Sequence, residues 1–116
     1  MSKYLYIQIA NNLRKLILKG TYLPGQKLPS MRVMAEKEGC NPATVNRAFK
    51  LLERKGLVCI KSKNGYFITD DSFRIEKLRK EELSMSIKEL IKKLKLLGYS
   101  GKEICEVFDR YSDFSL

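Results

Sequence analysis

Asn41-Pro42-Ala43-Thr44-Val45-Asn46-Arg47-Ala48-Phe49-Lys50-Leu51-Leu52-Glu53-Arg54-Lys55-Gly56 is the stretch whose reading decides the fold. Asn41 is a good helix cap, Pro42 stands at the first helical position, where its missing N–H costs nothing, and Gly56 supplies the stop. Between them two faces separate at helical spacing. Val45, Ala48, Phe49 and Leu52 form an apolar side, while Ala43, Asn46, Arg47, Lys50 and Arg54 fall opposite. The second face is small or hydrogen-bonding near its start and cationic further on, which suits a helix that reads another molecule.

Upstream, Ser30 caps a short helix over Met31 to Glu38, with Val33, Met34 and Lys37 placed for amphipathicity and Gly39 as its end. A turn through Gly39 and Cys40 then leads to Asn41, so two helices joined by a short glycine-containing turn give helix-turn-helix geometry. Ser2 to Lys19 predicts a first helix, with Tyr6, Ile9, Ala10, Leu13, Leu16 and Ile17 on one stripe and Gly20 after it. The two prolines and the glycine of Thr21 to Pro29 make that segment a loop.

Downstream, Leu57-Val58-Cys59-Ile60 and Tyr66-Phe67-Ile68-Thr69 are β-prone runs around an Asn64-Gly65 turn, a hairpin with a basic tip. After Asp70-Asp71 the pattern is helical again: Leu83, Ile87, Leu90, Ile91, Leu94 and Leu97 recur at three and four until Gly98. Ser100 and Glu103 then form a capping box for a last helix bearing Ile104, Val107, Phe108 and Tyr111. The expected fold is mainly α with a small β-hairpin, a winged helix-turn-helix over residues 1–70 followed by a two-helix dimerisation tail over residues 71–116.

Charge separates the same two parts. Residues 1–70 hold 13 Lys/Arg against 4 Asp/Glu, whereas residues 71–116 hold 10 against 9, so nearly all of the net +10 lies in the first part. A lopsided basic excess on a folded segment attracts polyanions, nucleic acid being the commonest. A chain with no histidine and with three cysteines at Cys40, Cys59 and Cys105, none in C-x-x-C spacing, offers no zinc site. No cofactor and no metal are expected. Widely spaced thiols, no apolar run near ~20 residues and no signal-peptide pattern predict a cytoplasmic protein that meets the nucleoid through DNA and no membrane. Enzyme chemistry is the weakest class, since there is no histidine base, no phosphate-cradling loop and no G-x-S-x-G or metal-type context.

The elements meet different features of DNA. The third helix suits the major groove, where Asn46 can offer an amide to adenine, Arg47 a fork to guanine or phosphate, and Thr44 a hydroxyl. Arg32 and Lys50 are better placed for phosphates, and Lys63, Asn64 and Gly65 of the wing can follow the backbone into the adjacent minor groove. Blander readings stand beside these. Tyr4, Tyr6, Tyr22, Tyr66 and Phe67 read as core or hairpin residues rather than stacking platforms. Lys61 and Lys63 can simply protect a strand edge, Arg54 and Lys55 complement a helix dipole, and Cys40 reads as a small buried thiol rather than a redox switch.

The run Leu28-Pro29-Ser30-Met31-Arg32-Val33-Met34-Ala35, then Gly39 to Phe49, then Leu52-Glu53-Arg54-Lys55-Gly56-Leu57-Val58, resembles the GntR family of bacterial regulators. Tyr6-Ile7-Gln8-Ile9-Ala10 and Leu23-Pro24-Gly25 fit the family's opening, and the resemblance covers residues 4–68. Asn41-Pro42 and the short tail are similar to its YtrA-like branch, whose members lack a large effector domain. The resemblance implies operator contacts from Arg32, Thr44, the exposed face at Ala43, Asn46 and Arg47, and the wing tip. Pro42 and Asn46 stand where the family often has arginine, which implies adenine readout by Asn46, and Lys63 replaces a usual glycine. The candidate DNA-binding set is Ser30, Arg32, Asn41, Ala43, Thr44, Asn46, Arg47, Lys50, Lys63, Asn64 and Gly65.

The apolar residues of the tail exceed what two helices can bury on a small winged domain. Leu83, Ile87, Leu90, Ile91, Leu94, Leu97, Ile104, Val107 and Phe108 are therefore expected to meet a second copy, the alternative being a different protein. The functional expectation is a sequence-specific regulator of double-stranded DNA, a repressor acting as a homodimer on a palindromic operator. The alternative is an architectural or protein-interaction winged helix with weak, sequence-indifferent DNA binding. Any small-molecule effector, the operator and the regulated genes are left open.

Overall fold

The computed structural model describes residues 4–61 and 65–111. Among them the order is α1 (Leu5–Lys19), α2 (Met31–Glu38), α3 (Pro42–Arg54), β1 (Val58–Ile60), β2 (Tyr66–Ile68), α4 (Ser72–Leu96) and α5 (Gly101–Tyr111). The chain divides into two compact units, Met1–Arg79 and Lys80–Leu116. No helix among the described residues is long and apolar enough to cross a membrane.

In the first unit α1 buries Ile9, Ala10, Leu13 and Ile17, and ends at Gly20, whose φ of 95° lets its N–H reach back to the carbonyls of Leu16 and Ile17. Tyr4 lies outside this helix and is 58% exposed, not core-facing as its place in the sequence pattern predicts. On α2 the buried residues are Met34 and Ala35. Val33, grouped by its spacing with Met34 and Lys37, is 52% exposed. A helix of 8 residues presents only a narrow stripe, and the packing of α2 on α3 selects the adjacent pair instead. Helix α3 buries Val45, Ala48, Phe49 and Leu52, the apolar face of the sequence pattern.

The strands pair antiparallel in the register Val58 with Ile68, Cys59 with Phe67 and Ile60 with Tyr66. The loop before α2 pairs with β2 on its other side through a bridge between Lys27 and Phe67. Leu28 donates its N–H to Tyr66 O at 2.9 Å, and Ile68 donates to Gln26 O at 2.8 Å. This brings Leu28, Leu57, Val58, Tyr66 and Ile68 onto the helices to complete one core, in which the rings of Phe49 and Tyr66 meet edge to face at 4.9 Å.

The division between the units falls within α4, beyond Asp70, because the first turns of that helix belong to the winged core. Ile75 is buried there, Leu78 packs beside it, and Arg74 donates from Nε and Nη2 to Lys55 O, both at 3.3 Å, capping the end of α3. Gly56, at φ +77°, lies directly beneath that guanidinium, and a Cβ at position 56 would overlap it, 2.7 Å from Nη2.

In the second unit α5 starts at the capping box expected from Ser100 and Glu103. Glu103 N donates to Ser100 Oγ and Ser100 N donates to Glu103 Oε1, each at 3.1 Å. Among the described residues of this unit Ile104 alone is buried.

Candidate nucleic-acid interface

The two caps of the helix-turn-helix show how the chain prepares this face. Ser30 Oγ accepts from Val33 N at 3.2 Å and Asn41 Oδ1 accepts from Ala43 N at 2.9 Å. Each cap engages an acceptor lone pair and leaves the side chain's donor hydrogens available. Both residues are exposed. Together with the remaining free N–H groups of the first helical turn, they give the starts of α2 and α3 a donor-rich character suited to anionic oxygens.

Along α3, Ala43, Arg47 and Lys50 are exposed, whereas Thr44 and Asn46 are half-buried. Arg47 does not extend freely. Its guanidinium carbon lies 4.0 Å above the ring centroid of Tyr6 on α1. No acidic residue occurs between Gly39 and Leu52, nor anywhere before Glu36, so the acidic residues of α2 and α3 are confined to their C-terminal turns, at Glu36, Glu38 and Glu53.

The wing base completes the surface. Ser30, Met31, Arg32 and Pro42 line one shallow depression of about 470 Å³, so the starts of α2 and α3 adjoin. A second, of about 280 Å³, runs from Ser30 and Met31 past Lys27 to Gly65 and Tyr66 at the hairpin. The three segments named from the sequence thus share a continuous surface. Gly65 is exposed at φ 96°, while Lys63 and Asn64 lie outside the described residues.

Two residues of this surface escape a reading of the sequence. Lys27 sits in a proline- and glycine-rich loop, and its position beside Gly65, with Cε 3.9 Å from where a Cβ would stand, arises from a bridge between distant segments. Tyr6 reads as part of the α1 apolar stripe. It does pack partly against the core, yet its ring face is given to Arg47. Lys61 similarly lies over Phe67, its Nζ 5.4 Å from the ring centroid. Among the described residues no cluster of Cys, Asp or Glu is arranged to hold a metal.

In the tail, Leu83, Ile87, Leu90, Leu97, Val107 and Phe108 are exposed, Ile91 and Leu94 half-buried, and Ile104 buried. Leu90 and Leu94 of α4 face Ile104, Val107 and Phe108 of α5 across an open apolar groove of about 410 Å³.

Residues 5–68 match the family model described as bacterial regulatory proteins, gntR family. The helix-turn-helix-type transcriptional repressor YtrA of Bacillus subtilis is 34% identical over 96% of this chain and 84% of its own length. The transcriptional regulator YhcF of the same organism is 33% identical over 97% of this chain and 93% of its own. A solved GntR family transcriptional regulator from Listeria monocytogenes superposes with a TM-score of 0.85 at 31% identity, covering 94% of this chain and 96% of that one. Over both units, then, and not merely over its DNA-binding head, the chain belongs to the GntR family of transcriptional regulators, in the YtrA-like branch, with a DNA-binding winged helix.

Proposed function

We propose that this regulator is a cytoplasmic repressor that binds a palindromic operator as a homodimer, with Ser30, Arg32, Asn41, Ala43, Thr44, Asn46, Arg47, Lys50, Lys63, Asn64 and Gly65 forming the DNA face. It acts by occupying DNA rather than by catalysis. The observation that carries this reading is the continuous surface on which the base of the wing and the capped starts of α2 and α3 come together around Lys27, Arg32 and Pro42. Donor-rich helix starts fix register on phosphates, and the α3 face enters the major groove to choose sequence. Repression in this reading is steric occupation of a promoter.

The homodimer rests on the tail. A pair of helices that buries Ile104 while leaving Leu83, Ile87, Leu97, Val107 and Phe108 in water needs a further layer, and a second copy supplies a self-complementary one. Residues 71–116 are assigned to this role and residues 1–70 to DNA.

Selection of binding sites from random duplexes with the purified protein tests the reading. The expected product is an inverted repeat with half-sites centred near one helical turn, about 10 bp, apart or a multiple of it. Placed between a promoter and a reporter, that sequence should lower expression when the protein is present. Enrichment of no motif would instead mark an architectural winged helix, and a single unrepeated half-site would remove the dimer.

A further inference from the structure

Arg47 is held from outside its own helix. Tyr6, at the start of α1, is half-buried against the winged core, and this fixes the ring over which the guanidinium lies at 4.0 Å. Among the described residues no carboxylate pairs with Arg47. A ring face differs from a carboxylate in what it uses: it attracts the cation through its quadrupole and occupies none of the five N–H donors. A salt bridge would have spent part of that fork and neutralised the charge. Stacking orients the plane and leaves its edge free for oxygen acceptors.

We propose that Tyr6 is a positioning residue for the DNA contact made by Arg47. It rests on the reading of the exposed α3 face as the DNA face. The ring restricts the arginine before DNA arrives, so less side-chain freedom is lost on docking, and the fork meets acceptors of one chemistry, phosphate oxygens or the O6/N7 edge of guanine. The aromatic face performs this role and the hydroxyl does not. Tyr6→Phe therefore preserves it, and Tyr6→Leu removes it while retaining an apolar side chain for the core.

Two measurements test this. In the free protein, NMR of the Arg47 side chain should show ring-current shielding of its δ protons, kept in Tyr6→Phe and lost in Tyr6→Leu; absence of that shielding in the wild type overturns the proposal. Affinity is then measured for the duplex selected by the wild-type protein and for a random duplex, in a double-mutant cycle. Tyr6→Leu should weaken binding about two- to fivefold, in keeping with an exposed cation–π contact. Tyr6→Phe should not weaken it, and Tyr6→Leu should add nothing once Arg47→Ala is present. A loss on both duplexes identifies phosphate as the partner, and a loss confined to the selected duplex identifies guanine. An equal loss from Tyr6→Leu in the Arg47→Ala background reduces Tyr6 to a core residue and overturns the proposal. If Arg47→Ala weakens binding and Tyr6→Leu does not, positioning alone fails. If Arg47→Ala binds as the wild type does, Arg47 is not part of the DNA face, and the role of Tyr6 falls with it.

Discussion

The winged unit and the tail unit are both built largely from amphipathic helices, yet they use their apolar residues in opposite ways. In the first, residues from Ile9 to Ile75 on four helices and two strands close a single buried cluster. In the second, α5 has an apolar stripe at least as well segregated, but Ile104 is the described residue that it buries, and Phe108 remains 50% exposed. The difference is one of layers. A helix stripe needs an opposing surface on every side that it shows, and α1 finds α3 while α3 finds both α2 and the hairpin. Helices α4 and α5 of the tail have each other, which buries Ile104 and leaves a groove.

The largest expected effect lies in the closed core. Phe49→Ala removes a fully buried ring that packs on Tyr66 and should destabilise the winged unit by about 3–5 kcal/mol, read by urea unfolding. A comparable loss from Phe108→Ala in dilute protein would mean that the two units do not differ as described. Next, Leu90→Glu combined with Leu94→Glu should abolish self-association in sedimentation and leave the unfolding midpoint of the winged unit unchanged. A coincident shift of that midpoint would tie the two units into one cooperative block.

A smaller effect is expected at high pH. Burial, and then the negative charge of Glu53, push the Tyr66 phenol above its usual value. The folded state thus holds this proton more tightly than the unfolded chain, so its contribution is complete below the unfolded value near 10 and is lost as pH rises through the folded one. Stability of the wild type should fall more steeply above about pH 10 than that of Tyr66→Phe, and parallel curves would contradict this. The smallest effect is at Glu76 and Arg79, an exposed i,i+3 pair at 3.4 Å beside the division of the units. Glu76→Gln should change stability by less than about 0.5 kcal/mol and vanish in high salt.

What could be read from the sequence is what is encoded over a few residues. The two faces of α3, the caps at Ser30 and Asn41, and the reciprocal box of Ser100 and Glu103 depend on spacings of two to four, and each is found where those spacings put it. Segments that meet across the fold leave no such local mark. The bridge from Lys27 to Phe67, the stacking of Arg47 on Tyr6 and the inclusion of Ile75 in the winged core all join residues far apart in the chain. Val33 illustrates a subtler limit, since on so short a helix a rotation by one residue satisfies the same pattern, and packing on α3 decides it.

The cap that Arg74 places on Lys55 O has a consequence for how this chain tolerates change. Position 56 must accept a left-handed backbone, and a Cβ there would push the flexible end of Arg74 off Lys55 O, so glycine is demanded by conformation and favoured by a neighbour 18 places further along. Replacing Arg74 by a small residue removes the second demand and leaves the first. The two sites are therefore epistatic: Gly56→Ala should be tolerated better alongside Arg74→Ala than alone, and a library randomised at both positions should return glycine less strictly wherever arginine is gone.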